Sequence, residues 1–306
     1  MKTVLVTGAN GMLAANITEQ LAAGGYTVYA TLRAGRRYCG AESANIHIVE
    51  ADFKDSAAMA PLLGRCDAVI HAAAMTSQSG RNMADYMAVN AEASERLAEL
   101  AADNGVETFV YVSTANTIGY GGDESRDMVA PFTGSLYAQS KKAGETAVLK
   151  YCGKMRVVVV NPTFMIGKYG SSEGSNRVLR MVKRSRLIFC PSGGKNVIRV
   201  DEAARGIIMA MERGHNGQKY LICGENYSYE ELFRTLARSA GVKGRCYIPI
   251  PDFVLTAAGY VGGLLAKLGV DTELTRANMQ ILKTDNFYHT DRASRDFGFR
   301  AAKDIV

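Results

Sequence analysis

The sequence predicts an α/β fold: a doubly wound parallel sheet that carries a smaller, later lobe. Strand and helix signals alternate through the first half of the chain. The strand segments are apolar throughout instead of alternating, which predicts cover on both faces. The chain has 306 residues, of which 47% are hydrophobic and 22% charged. That composition excludes a mainly disordered protein, and the length allows a large buried core.

The predicted strands are short, and glycine or asparagine-glycine stops separate them from the helices. They are Val4–Val6, Thr27–Leu32, Ile46–Glu50, Ala68–Ile70, Phe109–Val112 and Arg156–Val160. The predicted helices between them are Met12–Ala23, Ala84–Asp103 and Gly134–Tyr151. Helical crossovers between consecutive strands make the sheet parallel.

The sequence places a cofactor domain in residues 1–167, with segments near 199–223 and 284–291 returning to it. Residues 168–198 and 224–283 are predicted to form the substrate-binding lobe.

One later stretch, Phe253 to Leu268, reads as an apolar helix. It is shorter than the ~20 residues of a membrane span and holds three glycines, so a buried or pocket-lining helix is expected. Docking on a membrane surface is the alternative.

Cysteine spacing and charge bear on compartment and partners. The six cysteines contain no C-x-x-C pair and the four histidines stand apart from them, which predicts reduced thiols and no metal site. No sustained apolar run marks a signal peptide at the N-terminus, so a cytoplasmic location is expected. A net charge of +6 without a basic–aromatic cluster disfavours nucleic-acid binding.

A glycine-rich loop follows the first predicted strand and opens a helix. It reads Gly8-Ala-Asn-Gly-Met-Leu-Ala14, a G-x-x-G-x-x-A pattern. Such a loop lets backbone N–H groups reach a pyrophosphate at a helix N-terminus, so a Rossmann-type dinucleotide fold is predicted. The predicted contacts are Gly8, Asn10, Gly11, Met12 and Leu13.

The end of the second strand discriminates between NAD and NADP. An acid there would take the ribose 2′-hydroxyl of NAD. Here the chain has Arg33, then Arg36 and Arg37, with no acid before Glu42. Guanidinium groups suit a 2′-phosphate, so NADP is favoured over NAD.

The third motif is Tyr137-Ala-Gln-Ser-Lys141 on a predicted helix. A four-residue spacing puts both side chains on one helix face. Because an ammonium group lowers the pKa of a nearby phenol, Tyr137 is expected to exchange a proton near neutral pH. Ser113 and Thr114 end the fifth strand, and a hydroxyl there could bond a substrate carbonyl.

Taken together, these motifs resemble the extended short-chain dehydrogenase/reductase superfamily, in particular epimerase/dehydratase and dihydroflavonol-reductase-like proteins. The resemblance covers nearly the whole chain. It is also carried by Asp52-Phe53, by His71-Ala-Ala-Ala74, by Asn90 in the next helix, and by Asn161-Pro-Thr-Phe164.

The resemblance implies a role for each matching residue. Tyr137 would be the general acid/base, Lys141 would lower its pKa and hold the nicotinamide ribose, and Thr114 would orient the carbonyl, with Ser113 left as the alternative. Further cofactor contacts implied are Arg33, Arg36, Asp52, Phe53, Ala72, Ala73, Ala74, Asn90, Pro162, Thr163 and Phe164. The substrate contacts implied are Ala115, Asn116 and Phe164.

The predicted function is an NADP(H)-dependent oxidoreductase that interconverts a carbonyl and a secondary alcohol on a fairly apolar small molecule. The alternative is an NAD-dependent nucleotide-sugar epimerase or dehydratase, which could use Arg177, Arg180, Lys183 and Arg199 to hold a pyrophosphate. Ile118, where a tyrosine is common, weakens that alternative. A non-catalytic NADP sensor is disfavoured because the Tyr–Lys pair is present. The resemblance also implies a homodimer through the helices at 84–103 and 134–151.

Overall fold

The computed structural model describes residues 2–76, 82–169, 176–270 and 272–305. Its main strands are β1 Thr3–Thr7, β2 Thr27–Leu32, β3 Ile46–Glu50, β4 Ala68–His71, β5 Thr108–Val112 and β6 Arg156–Pro162. The later strands are β7 Phe164–Ile166, β8 Leu187–Cys190, β9 Gly194–Arg199, β10 Lys219–Ile222, β11 Glu225–Ser228, β12 Cys246–Pro249 and β13 Asp285–Asn286.

The helices of the first half are α1 Met12–Ala23, α2 Ser56–Leu63, α3 Met83–Met87, α4 Ala93–Asp103 and α5 Leu136–Leu149. A π-helical turn, Ala88–Glu92, joins α3 to α4. The later helices are α6 Asn176–Arg184, α7 Val200–Arg213, α8 Tyr229–Ser239, α9 Asp252–Lys267, α10 Arg276–Leu282 and α11 Arg292–Phe297.

The large sheet has the strand order β10-β6-β5-β4-β1-β2-β3, and every pairing in it is parallel. This confirms the predicted α/β fold class. Thr7 is in register with His71, so the carboxyl ends of β1 and β4 meet at one edge. The glycine loop and the loop after β4 both begin at that edge, which is where ligands bind in open α/β sheets.

Alternation along β1 sorts the core into two layers, because successive side chains of a strand point to opposite faces. Val4 and Val6 pack with α1 and α7, whereas Leu5 packs with α2 and α4. The outermost strand, β3, is partly exposed, and 43% of Ile48 is accessible to solvent. The prediction that both faces of the sheet are covered by helices is therefore confirmed for the central strands and is wrong for the edge strand β3.

For α1, β2 and β3, the first and last residues are those that the sequence predicts. The helix predicted at 84–103 forms as α3, the π-helical turn and α4. Sequence reasoning missed α2, which contains Pro61, and α7.

The later chain builds a small sheet in which β9 pairs with β7, β11 and β13, and a separate ribbon joins β8 to β12. Val197 of β9 packs with α6 and α8 in a third hydrophobic cluster. The β10 strand lies in the large sheet, whereas β13 pairs with β9 in the small sheet. The division into a cofactor domain and a substrate lobe remains a prediction.

Helix α9 forms where an apolar helix was predicted, but the expectation that it is buried is wrong. Phe253, Leu264 and Leu268 are 73%, 61% and 71% exposed. The helix packs through its other face alone, where a Cβ on Gly262 would overlap the Leu274 backbone. Among the described residues, no helix is both long and apolar enough to cross a membrane.

Candidate cofactor and catalytic site

The glycine loop closes tightly against the loop that follows β4. Gly8 has φ +77°, and a Cβ there would lie 2.9 Å from the Ala73 Cα. The Gly11 N–H donates to the Gly8 carbonyl at 2.8 Å. Gly11 caps α1 without a side-chain hydrogen bond, so the first N–H groups of α1 are free to bind an anion. Leu13 buries its side chain in the core, which leaves only its backbone facing this site.

The predicted arginines lie beside this loop. Arg33, Arg36 and Arg37 are all exposed, and the Arg36 N–H donates to the Arg33 carbonyl in a turn. The Cys39 thiol lies 3.9 Å from the Asn10 carbonyl oxygen, which it reaches as a weak donor. That contact holds the segment after β2 against the glycine loop, so the cationic turn and the free N–H groups of α1 are neighbours.

A buried hydroxyl–imidazole chain joins the two loops. The Ala73 N–H donates to Thr7 Oγ1 at 3.2 Å, and Thr7 Oγ1 lies 2.7 Å from His71 Nδ1. His71 Nε2 lies 3.0 Å from Ser94 Oγ. Burial lowers the pKa of His71 to about 3, so the ring is neutral at physiological pH. His71 thus fixes the strand ends and takes no part in acid–base chemistry near pH 7.

Asp52 and Phe53, two neighbours that the resemblance implies as cofactor contacts, lie in different environments. The Asp52 side chain is at the carboxyl edge, partly exposed, and accepts from the Lys54 N–H at 3.0 Å. Phe53 is 8% exposed and packs against the His71 ring, with centroids 4.8 Å apart. Ala72, Ala73 and Ala74 are the first residues of the loop that follows β4, and this loop packs against the glycine loop at Ala73.

Asn90 occupies the π-helical turn, and its amide is fully engaged by the protein. Its Oδ1 accepts from the Met75 N–H at 2.8 Å, and its Nδ2 donates to the Met75 carbonyl and to Ser140 Oγ. Ser140 lies on α5, next to Lys141. Asn90 therefore ties the loop after β4 to the helix that carries the Tyr–Lys pair.

Tyr137 and Thr114 are brought together by the start of α5 and the end of β5. A side-chain hydrogen bond from Thr114 lowers the pKa of Tyr137, but burial outweighs it and raises that pKa to about 12. The neighbouring hydroxyl, Ser113, is buried and donates instead to Glu145 Oε1 at 2.5 Å. The expectation that the Tyr137 pKa is lowered is therefore wrong, because burial penalises the phenolate.

Lys141 has an unusual environment for a cation. It is 1% exposed, and its Nζ has no hydrogen-bond partner among the described residues. The Nζ lies 3.9 Å from the centroid of the Tyr111 ring. Burial lowers the pKa of Lys141 to about 7, against the attraction of the Glu145 carboxylate.

Glu145, which sequence reasoning missed, is completely buried behind the pair. Its carboxylate accepts from Ser113 and Thr117 hydroxyls at 2.5 Å each, from Asn161 Nδ2 at 2.8 Å and from Lys219 Nζ at 2.6 Å. It thus joins α5 to β5, β6 and β10. The i, i+4 spacing from Lys141 was the available signal.

The remaining residues predicted to contact substrate or cofactor differ in exposure and in side-chain contacts. Ala115 is 2% exposed in a core cluster, so its side chain does not face a substrate. Asn116 is partly exposed, and the buried Thr163 Oγ1 has no hydrogen-bond partner among the described residues. Pro162 ends β6, and the Phe164 ring lies 4.4 Å from Lys195 Nζ.

Two of the four cations that would serve a sugar-nucleotide substrate are already paired. Arg177 forms a two-pronged contact with Glu273, and Arg199 pairs with Asp201. Arg180 and Lys183 are exposed on α6.

The described residues fit a dinucleotide. The uncapped start of α1 offers N–H groups to a pyrophosphate, and the exposed arginines offer cations to an additional phosphate. Lys141 Nζ is a buried donor for which the described residues supply no hydrogen-bond acceptor.

Comparison with known proteins finds a matching family model and related sequences. The model of the NAD dependent epimerase/dehydratase family matches residues 4–223. A candidate dihydroflavonol 4-reductase of Synechocystis sp. is 26% identical, with 96% of this chain and 88% of that protein covered. Cinnamoyl-CoA reductase 1 of Oryza sativa is 25% identical, over 76% and 74%.

Solved structures show the same fold. The gox2253 structure aligns with a TM-score of 0.83 and 24% identity, covering 100% of this chain and 95% of that one. The dTDP-glucose 4,6-dehydratase DesIV of Streptomyces venezuelae aligns with a TM-score of 0.74 and 21% identity, covering 98% and 92%.

Proposed function

Because the chain belongs to the NAD dependent epimerase/dehydratase family, we propose that it is an NADP(H)-dependent oxidoreductase that interconverts a carbonyl and a secondary alcohol on a fairly apolar small molecule. Membership makes it an NAD(P)-dependent enzyme of the extended short-chain dehydrogenase/reductase type. Two observations on helix α5 carry the proposal: Thr114 bonds to the Tyr137 side chain, and four residues further on the buried Lys141 Nζ has no hydrogen-bond partner among the described residues.

Tyr137 is the proton donor and acceptor. Its pKa of about 12 keeps the phenol protonated at neutral pH, as an acid for carbonyl reduction must be. The reacting oxygen takes the position where both hydroxyls reach it: Thr114 donates a hydrogen bond, and Tyr137 donates the proton. In the oxidative direction Tyr137 takes the proton back.

Lys141 acts on the cofactor and on the phenol. Its Nζ, which has no hydrogen-bond partner in the described part of the chain, would donate to the hydroxyls of the nicotinamide ribose. When bound, a nicotinamide would provide for hydride transfer to or from the substrate carbon. Once protonated, Lys141 stabilises the phenolate that forms as Tyr137 gives up its proton.

NADP is proposed over NAD because of the turn after β2. Arg33 and Arg36 are exposed beside the glycine loop, and a guanidinium pairs with a phosphate through two parallel hydrogen bonds. Asp52 follows the neighbouring strand β3, and we propose it as a contact of the adenine.

The reductase is favoured over a nucleotide-sugar epimerase or dehydratase. Of the four cations predicted to hold a pyrophosphate in that alternative, Arg177 and Arg199 are held by carboxylates, and only Arg180 and Lys183 are left for it. A decisive observation is the nucleotide released when the purified protein is denatured. Tightly held NAD would contradict the reductase assignment, whereas a vacant site that takes up NADPH supports it.

The catalytic assignment is tested with Tyr137→Phe and a panel of aromatic and alicyclic ketones supplied with NADPH. We expect turnover to fall by at least ~100-fold, because the proton donor is lost. NADPH affinity should stay within about twofold, since the phenyl ring keeps its packing. Tyr151→Phe, a partly buried tyrosine on the turn after α5, is the matched control and should keep full activity. Full activity in Tyr137→Phe would refute the assignment.

A further inference from the structure

Helix α9 exposes an apolar face that no other part of the described chain covers. At 100° per residue, four exposed side chains of α9 and that of Leu268, which directly follows its last residue, fall within about 100° of arc. We call them the apolar stripe: Phe253, Tyr260, Val261, Leu264 and Leu268, between 54% and 73% exposed.

The opposite face of α9 is the one that holds the helix to the protein. Leu255 is 5% exposed. A Cβ on Gly259 would lie 3.2 Å from the Arg276 Cα, at the start of α10, and Gly262 fits closely over Leu274. The stripe therefore faces outward because close packing fixes the other side, and it lies along a helix about 24 Å long.

One long edge of the stripe is basic. The Arg276 guanidinium stacks 4.1 Å from the centroid of the Tyr260 ring, and Lys283 Nζ donates to Thr256 Oγ1 at 2.9 Å. Lys267 ends the helix on the same side. Among the ion pairs of the described residues, none includes any of these three cations.

Two acids of the described residues lie at or near α9. Asp252, its first residue, accepts from the neutral Ser192 hydroxyl at the end of the helix opposite Lys267, and Glu273 is paired with Arg177. The surface thus combines an apolar face with uncompensated positive charge along one edge, which is the pattern of a helix lying in the plane of an anionic lipid surface.

A second copy of the chain fits this surface less well. The stripe offers five apolar side chains, whereas a standard stable interface uses roughly 20–30 residues on each side. A lipid surface has no such requirement, since burial of a few large side chains plus charge attraction suffices for reversible binding.

The stripe and the candidate site are connected through helix α10, so binding of α9 to a lipid surface would affect how the site meets apolar molecules. Helix α10, which carries Arg276, also packs on the turn Phe132–Gly134, where the Gly134 Cβ position lies 3.7 Å from Ala277 Cβ. That turn directly precedes α5 and Tyr137. Docking through α9 would bring this side of the site close to apolar molecules held in a bilayer.

We propose that the apolar stripe of α9, with its basic edge, docks the protein reversibly on an anionic lipid bilayer. The inference does not depend on the proposed reaction.

The test is co-sedimentation of the full chain with phosphatidylcholine vesicles, with and without phosphatidylglycerol. We expect binding only to the anionic vesicles, and we expect added salt to weaken it because the charge attraction is screened. Leu264→Ser with Leu268→Ser should lower the bound-to-free ratio about tenfold or more. Phe253→Ser, at the most exposed position of the stripe, is a second and independent variant.

The matched control is Ile48→Ser, which removes an exposed apolar side chain from the edge strand β3 and should leave vesicle binding unchanged. Equal binding by the wild type and the stripe variants would overturn the proposal, as would no binding to anionic vesicles. Concentration-dependent self-association that the stripe variants abolish, without vesicle binding, would identify a second copy as the occupant and also overturn it.

Discussion

The Lys141 ammonium nitrogen lies 3.9 Å from the centroid of the Tyr111 ring, buried and without a hydrogen-bond partner in the described chain. The aromatic face offers a cation some attraction, but far less than the water it has lost. This is why burial brings the pKa of Lys141 down to about 7. A group kept in so costly a state is expected to serve function at the expense of stability.

The first prediction concerns how the buried Lys141 lowers the stability of the folded protein. In the folded protein Lys141 loses its proton near pH 7, whereas in the unfolded chain it keeps it to about 10.5. The unfolded state therefore binds more protons between these values, and wild-type stability rises with pH across this window. Lys141→Met should raise the melting temperature of the cofactor-free protein at about pH 6 by ~3 °C or more.

The gain from Lys141→Met should shrink as the pH approaches 10, because wild-type Lys141 is then neutral in the folded state and the unfolded chain is losing its own proton. Thermal unfolding at several pH values measures this trend. A variant that is less stable than the wild type at every pH would contradict the prediction. The same variant should lose ketone reduction.

The second prediction concerns the turn after β2. Arg33→Asp should weaken NADP binding by about 10- to 100-fold, because a charge-assisted contact to the 2′-phosphate is replaced by repulsion. NAD binding should hold steady or improve. Titration calorimetry with both nucleotides gives the ratio of the NADP affinity to the NAD affinity in each variant. Arg65→Asp, the same charge change in the turn ahead of β4, is the control. Unchanged NADP affinity in Arg33→Asp would exclude NADP selection by this residue.

The third prediction concerns the carboxylate behind the Tyr–Lys pair. Glu145→Ala strips the Ser113, Thr117 and Asn161 donors of their shared acceptor, and should destabilise the fold by about 3–5 kcal/mol. Glu95→Ala breaks the exposed pair with Lys150 and should cost ~0–1 kcal/mol. Urea unfolding compares the two. Equal and small costs would mean that the Glu145 network contributes little to stability.

The fourth prediction separates backbone strain from close approach. Gly8 and Gly25 both have positive φ, but a Cβ meets Ala73 only at Gly8 and has open space at Gly25. Gly25→Ala should cost roughly 1–2 kcal/mol and leave nucleotide affinity intact. Gly8→Ala should cost more and weaken dinucleotide binding, since the loop must move away from Ala73. Paired melting and nucleotide titrations test this, and equal behaviour of the two variants would refute the close-approach argument.

Some features of the chain follow from local sequence alone. Apolar β-branched runs, glycine stops and the loop Gly8–Ala14 specify the limits of α1, β2 and β3 and the parallel sheet, because each of these signals acts within a few residues. The family resemblance rests on the same short motifs. Helix α2 escaped that reasoning because Pro61 lies within it, and a proline normally argues against a helix interior.

Other features depend on which elements pack together, and only the tertiary structure decided them. Adjacent Ser113 and Thr114 diverge because a buried carboxylate on α5 takes the first hydroxyl and leaves the second with Tyr137. Burial likewise decides the direction in which the Tyr137 pKa moves. The sequence determined that α9 is an apolar helix, whereas its exposure follows from long-range packing of one face alone, since periodicity along a chain cannot specify how much protein lies on either side of it.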